Sequence, residues 1–242
     1  MSETAKLLGL RYRSQSPWPK RLSEVADRLF AEYGVPSLGN FRDPIREIFY
    51  ILLSAKTTDA QYRATHRRLW STFPTLDLLA AAPVGEIRRC IVSGGLAGKR
   101  ARHIKQTAGI LASRCGASPA RFLRALAPQA AFTFIRALPG MGPKSAFCVM
   151  MYSLDADAFP VDVNVQRIAE RMGVIPAGLK HFRAQERLAQ VAPVGRSKEL
   201  HIGLVVHGRT ICLPRVPKCR SCPLADLCRR GRKERANHGS EA

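Results

Sequence analysis

Acidic residues are scarce in this sequence of 242 residues. Only 18 Asp and Glu stand against 39 Lys and Arg, which leaves a formal charge of +21 at pH 7. So large an excess on a short chain favours a polyanion as partner, either nucleic acid or an anionic membrane surface. Most of these cations are Arg. Because a planar guanidinium makes bidentate contacts with phosphate, the composition favours nucleic acid.

Long apolar runs are also lacking. The N-terminal segment MSETAKLLGLRYRSQSPWPK has no apolar stretch that could serve as a signal sequence, and nowhere do apolar residues approach the ~20 of a membrane span. We therefore expect no membrane partner and a cytoplasmic, nucleoid-associated protein. The 7 Cys have no secretory context, which favours metal binding over a disulfide framework.

Strand-like alternation is nearly absent, and the remaining signals are helical. Helix starts are expected at Asp43, and at Thr58 or Asp59, because these residue types are favoured at the N-cap and in the first turn. Gly173 and Gly208 stand where C-terminal capping glycines belong. Further helices are predicted over 128–138, 143–154, 163–172, 181–192 and 197–208. The pattern predicts an all-α protein with about ten short helices.

Four cysteines stand close together near the C-terminus with the spacing C-x6-C-x2-C-x5-C; they are Cys212, Cys219, Cys222 and Cys228. Zinc and a 4Fe-4S cluster both accept four thiolates. Zinc ribbons usually pair two C-x2-C knuckles, whereas this segment has one such knuckle, and Pro follows it. The spacing therefore favours a 4Fe-4S cluster, with zinc as the alternative.

The loop between the first two of these cysteines, LPRVPK, contains Arg215 and Lys218. A bound cluster would fix this loop, so both cations could contact phosphates at low entropic cost. The alternative is an ordinary solvated loop. The three isolated cysteines, Cys90, Cys115 and Cys148, are expected to be small core residues.

The segment IRALPGMGPKSAFCVMM predicts a helix, a tight turn and a second helix. Gly140 and Gly142 permit backbone conformations closed to other residues, and their amides can approach an anion closely. Pro143 suits the first position of the second helix. Lys144 falls in its first turn, where the helix dipole disfavours the protonated amine and so favours a nucleophile. A plain helix connection and a phosphate-binding or solvated lysine are the alternatives.

A second candidate group is Asp162, directly before the amphipathic segment VNVQRIAERMG. Asp is a preferred N-cap residue, and a purely structural cap is the simplest interpretation. An N-capping carboxylate is also held ionised and oriented, which suits a group that stabilises developing positive charge.

These features together resemble the helix-hairpin-helix DNA glycosylase superfamily, and within it the endonuclease III branch. The likeness runs from residue 52 to Cys228 and rests on LPGMGPKSA, VDVNVQRIAERMG and HGRTICLPRVPKCRSCPLADLC. It implies two helical domains. A six-helix barrel domain with the helix-hairpin-helix motif would span 38–156, and 1–37 with 157–228 would form the 4Fe-4S cluster domain. The composition of 229–242 predicts a basic, disordered tail.

The resemblance also implies an activity. The chain would be a bifunctional DNA glycosylase and AP lyase of base excision repair, a monomer that binds duplex DNA containing a damaged base or an abasic site. Lys144 would attack C1′ of the sugar, and Asp162 would assist departure of an oxidised pyrimidine. Lys56 would fill the gap left by the flipped base, and Leu96 would wedge into the opposite strand.

Two positions depart from the family pattern. Lys56 is more often Gln in the family, and Asn164 stands where many bacterial members have His. Two other functions remain open. One is a monofunctional, adenine-mismatch glycosylase, although that branch generally lacks the hairpin lysine and adds a C-terminal domain. The other is a catalytically silent iron-sulfur DNA-binding paralogue.

Overall fold

The computed structural model describes residues 3–7, 16–34, 36–91 and 96–239, and within these ranges it contains helices and no strand. The expected all-α fold is confirmed. The helices, in chain order, are α1 (Glu3–Leu7), α2 (Trp18–Tyr33), α3 (Pro44–Ser54), α4 (Asp59–Thr72), α5 (Leu76–Ala81), α6 (Val84–Cys90), α7 (Ala97–Arg114), α8 (Pro119–Ala125), α9 (Pro128–Arg136), α10 (Pro143–Ser153), α11 (Val163–Met172), α12 (His181–Val191), α13 (Ser197–Thr210) and α14 (Arg229–Gly239). A short 3₁₀ turn, Cys219–Ser221, lies between α13 and α14.

The chain divides into two compact units. The central unit is residues 39–156, and the terminal unit combines residues 1–38 with 157–242. The family resemblance implies boundaries at 37/38 and 156/157. In its described residues the central unit holds the eight helices α3 to α10. Three of them, α5, α6 and α8, are short segments of six or seven residues.

The predicted helix starts agree with the observed caps. Asp43 accepts a hydrogen bond from the Ile45 N–H at 2.8 Å, and α3 begins at the next residue. Thr58 forms a capping box with Gln61 at the start of α4. Gly173 ends α11 in the left-handed conformation with φ +86°, as expected for a C-terminal glycine.

The core of the central unit is built around α3. Every residue of this helix from Ile48 to Leu53 is buried, so it is apolar on all sides, as expected of an interior helix. It packs against α4, α7, α8 and α10. The rings of Phe132 and Phe147 stack at 4.5 Å and join α9 to α10. The hairpin therefore rests directly on this core.

In the terminal unit, α2 is a helix that the sequence interpretation missed. Its buried residues Leu22, Val25, Ala26 and Leu29 follow the spacing of one helical face. The helix packs against α12 and α13. Leu29 fits against Gly203 of α13, where an added Cβ would lie only 2.9 Å from the Leu29 Cβ.

Two sequence expectations are wrong in this unit. Gly208 does not end a helix but lies inside α13, because close packing rather than capping requires glycine there. The expected disordered tail instead forms α14 through Gly239. Gly231 lets this helix approach the backbone of Ala225, and Arg232 donates to the Asp226 carbonyl at 3.1 Å.

Within the described ranges, we find no helix of the length and apolarity needed to cross a membrane.

Candidate active site

The hairpin between α9 and α10 is closed by backbone hydrogen bonds between residues three apart in the sequence. Leu138 N–H donates to the Ile135 carbonyl at 3.1 Å, and Met141 N–H donates to the Leu138 carbonyl at 3.0 Å. Gly140 has φ +80°, and an added Cβ would lie 2.9 Å from Leu52 Cδ2 and collide with the His103 ring. Glycine is thus required at position 140 for both conformation and space.

Gly142 is different from Gly140. It caps α10 with extended backbone (φ −116°, ψ −179°), and an added Cβ would meet nothing within 4 Å. The expectation that Gly142 needs a conformation closed to other residues is therefore wrong. What its missing side chain provides is open space beside the first amides of α10, the positive end of the helix dipole.

Lys144 is the second residue of α10 and is half-buried. Its charge reaches Glu47 on α3, a carboxyl group that is 0% exposed. Burial raises the pKa of Glu47 to about 7. The Phe41 N–H at 2.9 Å and the Asn40 amide at 2.6 Å oppose this shift, as does the charge of Lys144. The structure thus adds a buried acid to the surroundings of the predicted nucleophile.

Helix α7 supports the other predicted contacts of the central unit. Lys56 is exposed and adopts φ +54°, which non-glycine residues seldom do. The buried Arg100 of α7 donates to the Ala55 carbonyl at 2.6 Å and so holds this loop. Leu96 precedes α7 and is 43% exposed. The Gly140 turn borders the same helix through His103. The structure therefore gathers these predicted DNA contacts around α7.

In the terminal unit, Asp162 caps α11 as expected. Its Oδ1 accepts hydrogen bonds from the Asn164 N–H at 2.9 Å and the Val165 N–H at 2.8 Å. Its Oδ2 accepts from the Asn164 side-chain amide at 3.0 Å. These donors fix the carboxylate and favour its ionised form. Asn164 thus contacts the predicted catalytic carboxylate directly.

Arg167 extends this network to the cysteine-rich segment. It donates to Asn164 Oδ1 at 2.8 Å, to the Gly208 carbonyl at 2.8 Å and to the Cys212 carbonyl at 3.0 Å. An added Cβ at Gly208 would lie 2.7 Å from the Asn164 Cβ. Glycine inside α13 therefore lets the two helices approach closely enough for these bonds.

The four clustered cysteines line one pocket, together with side chains from α11, α13 and α14; they are Cys212, Cys219, Cys222 and Cys228. Arg171 donates to Cys212 Sγ at 3.1 Å, and the Leu224 N–H donates to Cys222 Sγ at 3.4 Å. Burial raises the pKa of the Cys222 thiol to about 11. Since ligation requires thiolates, metal binding in this pocket must displace protons.

This pocket fits a 4Fe-4S cluster in its chemistry. Four sulfur ligands from one chain converge on it, and N–H donors already contact two of the sulfurs, as is favourable for anionic thiolates. Among the residues that the structure describes, no three His, Cys, Asp or Glu side chains form a ready-made site for a single metal ion. Lys218 borders the pocket and is exposed, as is Arg215 in the same loop.

Comparison with known proteins decides the family. A model of the HhH-GPD superfamily base excision DNA repair proteins matches residues 49–193, more than half of the chain. The chain belongs to this superfamily. The matched HhH-GPD region contains the hairpin with Lys144 and the segment with Asp162.

Among curated proteins, this HhH-GPD chain is similar to endonuclease III of Escherichia coli (strain K12), with 29% identity over 189 residues, 78% of this chain and 85% of that protein. It is 32% identical to DNA glycosylase/AP lyase ROS1 of Arabidopsis thaliana over 71% of its own length. It is 30% identical to DEMETER-like protein 2 of the same plant over 66%. The matches span only 14% and 13% of those two plant proteins.

Two solved structures of endonuclease III bound to DNA agree with this HhH-GPD chain over almost their whole length. A trapped covalent intermediate matches with a TM-score of 0.76 and 26% identity, covering 89% of this chain and 98% of that one. A non-covalent complex matches with a TM-score of 0.77 and 25% identity, covering 90% and 98%. By family the chain is therefore an endonuclease III-like DNA glycosylase.

Some residues near these sites escaped the sequence interpretation, namely Glu47, Arg100, Arg167 and Arg171. Glu47 and Arg100 are charged residues on otherwise apolar helix faces, and that pattern is the one signal that could have found them. The hydrogen bonds of Arg167 and Arg171 to distant carbonyls have no local sequence signal.

Proposed function

We propose that this protein is a bifunctional DNA glycosylase and AP lyase that removes oxidised pyrimidines from duplex DNA and nicks the strand. The observation that carries the proposal is the position of Lys144. It stands in the first turn of α10, directly after a turn whose glycine has φ +80°. An amine at the positive end of a helix is disfavoured as a cation, and attack on carbon needs the neutral amine.

The proposed chemistry uses one nucleophile for two activities. Lys144 Nζ bonds to C1′ as the bond from C1′ to the base breaks, and the base leaves with the bonding electrons and takes up a proton. Loss of the amine proton and ring opening give an imine between Lys144 and the sugar. The imine acidifies the 2′ hydrogen, so its removal expels the 3′ phosphate by β-elimination.

Asp162 is the proposed electrostatic partner for base release. Hydrogen bonds from the Asn164 and Val165 backbone N–H groups and from the Asn164 side-chain amide orient the carboxylate, and donors of this kind favour the ionised form. A fixed negative charge stabilises positive charge that develops on the sugar as the base departs.

The proposed contacts at Lys56 and Leu96 are those that the family resemblance implies, and both side chains are exposed. The reacting carbon is inaccessible inside the base stack, so the target nucleotide must be flipped out. We propose that Lys56 fills the vacated space and that Leu96 wedges into the opposite strand. The amides at Gly140 and Gly142 would bind a backbone phosphate. Arg215 and Lys218 would contact phosphates from the loop between the first two clustered cysteines.

We further propose that Cys212, Cys219, Cys222 and Cys228 hold a 4Fe-4S cluster. When bound, such a cluster would crosslink the loop that contains Arg215 and Lys218 and stabilise the terminal unit. The support is the convergence of all four cysteines on one pocket and the N–H donors to their sulfurs.

Borohydride trapping tests the catalytic proposal. The full-length protein would be incubated with duplex DNA that contains either thymine glycol or an abasic site, and sodium borohydride would reduce any imine to a stable crosslink. We expect a covalent complex with both substrates, and none with Lys144→Ala. Lys180→Ala, which removes an exposed lysine at the start of α12, serves as the matched control and should crosslink like wild type.

The outcomes separate the candidate functions. Base release from thymine glycol without crosslinking or nicking would contradict the lyase proposal and indicate a monofunctional glycosylase. Binding to the duplex without base release or nicking would indicate a silent DNA-binding paralogue. Crosslinking that survives in Lys144→Ala would move the nucleophile to another residue.

A further inference from the structure

The cysteine pocket contains a buried hydrogen-bond donor that is not satisfied. Arg230, the second residue of α14, lines the pocket beside the four cysteines. Its Nε is buried and forms no hydrogen bond with any residue that the structure describes. Native proteins seldom leave a buried donor without an acceptor, so this atom indicates a partner that belongs in the pocket.

One terminal nitrogen of the guanidinium has an acceptor on its own helix. Arg230 Nη2 lies 3.3 Å from Glu234 Oε1, one turn later on the same helix. Arg230 and Cys219 line the same pocket, so the guanidinium lies close to one of the proposed cluster ligands. Its Nε–H is left without an acceptor among the residues that the structure describes.

The position of Arg230 is fixed by its neighbours on α14. Gly231 is buried, and an added Cβ would lie 2.5 Å from the Ala225 carbonyl oxygen, so the helix lies directly against the cysteine-rich loop. Arg232 donates to the Asp226 carbonyl at 3.1 Å from the same turn. These contacts hold the backbone at the start of α14 against the loop, so the Arg230 side chain extends from a fixed position, which lowers the entropic cost of a hydrogen bond in the pocket.

Arg171 provides a comparison on the other side of the pocket. Its Nη1 donates to Cys212 Sγ at 3.1 Å and to the Leu213 carbonyl at 2.7 Å, and its Nη2 donates to the Pro214 carbonyl at 2.7 Å. Both terminal nitrogens of this arginine thus have acceptors within the protein. Arg230 is the donor that needs something further in the pocket.

We propose that Arg230 donates its Nε hydrogen to a sulfur atom of the bound 4Fe-4S cluster, either an inorganic sulfide or the Cys219 thiolate. The inference rests on the proposed cluster. A thiolate-ligated cluster carries net negative charge, and hydrogen bonds to its sulfurs stabilise the reduced form. Arg230 therefore slows loss of the cluster and raises its reduction potential. The helix α14, outside the cysteine motif, becomes part of the cofactor site.

The test compares three variants of the holoprotein. Arg230→Gln removes the charge and the donor, Arg230→Lys keeps the charge but replaces the guanidinium, and Arg235→Gln removes an exposed cation from the same helix. Iron and sulfide content, loss of visible absorbance under an oxidant with chelator, and the midpoint potential by voltammetry would be measured. Circular dichroism would verify folding.

We expect Arg230→Gln to lose its cluster on the order of 10-fold faster than wild type, with a lower potential, and Arg235→Gln to match wild type. Because Arg230→Lys lacks the guanidinium donor, it should lose its cluster as fast as Arg230→Gln and show the same lower potential. Arg230→Lys also provides the measurement if Arg230→Gln does not fold. Rates of cluster loss and potentials equal to those of wild type in both Arg230 variants would overturn the proposed role of Arg230 but not the proposed cluster. Wild-type protein without iron and sulfide would instead overturn the proposed cluster.

Discussion

The two compact units hold their proposed catalytic residues in different ways. The central unit places Lys144 by backbone conformation, through the positive φ of Gly140 and the helix that starts at Pro143 above an apolar core. The terminal unit fixes Asp162 by hydrogen bonds to its carboxylate oxygens and links it through Asn164 to Arg167.

This difference matches the two proposed roles. A nucleophilic amine must lose a proton, form a bond to the sugar and later break that bond. It therefore benefits from a fixed helix, but its Nζ must be free to move. A carboxylate that stabilises charge works best when its orientation is set in advance. We therefore expect substitutions in the central unit to act through backbone conformation and burial. Substitutions in the terminal unit should act through the hydrogen bonds that hold Asp162.

The largest expected effect concerns Glu47, the buried acid near Lys144. Its pKa is raised from 4.5 to about 7 by burial, so the folded state binds its proton more tightly than the unfolded state does. Its contribution to stability is complete below pH 4.5 and is lost as the pH rises to about 7. The loss amounts to about 3 kcal/mol.

Glu47→Gln should remove this dependence. We expect the free energy of unfolding of the wild type, measured in urea, to fall between pH 5 and pH 8. The free energy of unfolding of the variant should change less over that range. Glu86→Gln, at an exposed position on α6, is the control and should keep the wild-type slope. If the unfolding free energies of wild type and Glu47→Gln changed equally with pH, Glu47 would not be the acid responsible for the pH dependence of stability.

An intermediate effect is expected at the hairpin glycines. Gly140→Ala must force a side chain into φ +80° and against Leu52, which we expect to cost about 2 kcal/mol of unfolding free energy. Gly142→Ala has an ordinary conformation and open space, so its cost should be under about 1 kcal/mol. Chemical denaturation of both variants measures the difference. Similar losses in the two would mean that the backbone does not place Lys144.

The smallest effect is expected at Asn164. Asn164→Ala removes the side-chain hydrogen bond to Asp162 Oδ2 and the acceptor for Arg167. We expect base release to slow by about tenfold, roughly 1.4 kcal/mol of transition-state stabilisation. Nicking of a preformed abasic site should change little, because no base leaves.

Single-turnover rates on the two substrates distinguish these steps. Val163→Ala, at a position that is 71% exposed on the same turn, is the matched control and should leave both rates unchanged. If Asn164→Ala slowed both reactions equally, the residue would act on DNA binding or folding rather than through Asp162.

Local signals predicted much of the helical structure. Asp43, Thr58 and Gly173 stand at helix ends as expected, and the predicted helix at 163–172 has the observed bounds. These signals are readable because capping and side-chain periodicity involve residues within one or two turns of each other. The glycine at 208 misled the prediction because the same residue type serves capping and close packing.

By itself the sequence determined the hairpin lysine, the capping aspartate and the spacing of the four cysteines, since each is a pattern of near neighbours. Only the tertiary structure decided that Glu47 is buried within reach of the charge on Lys144, that Arg100 holds the Lys56 loop, and that α14 brings Arg230 to the cysteine pocket. The physical reason is that desolvation and hydrogen bonding between distant segments depend on how the helices pack. Nothing in the local sequence records which buried donor or acid will face which neighbour.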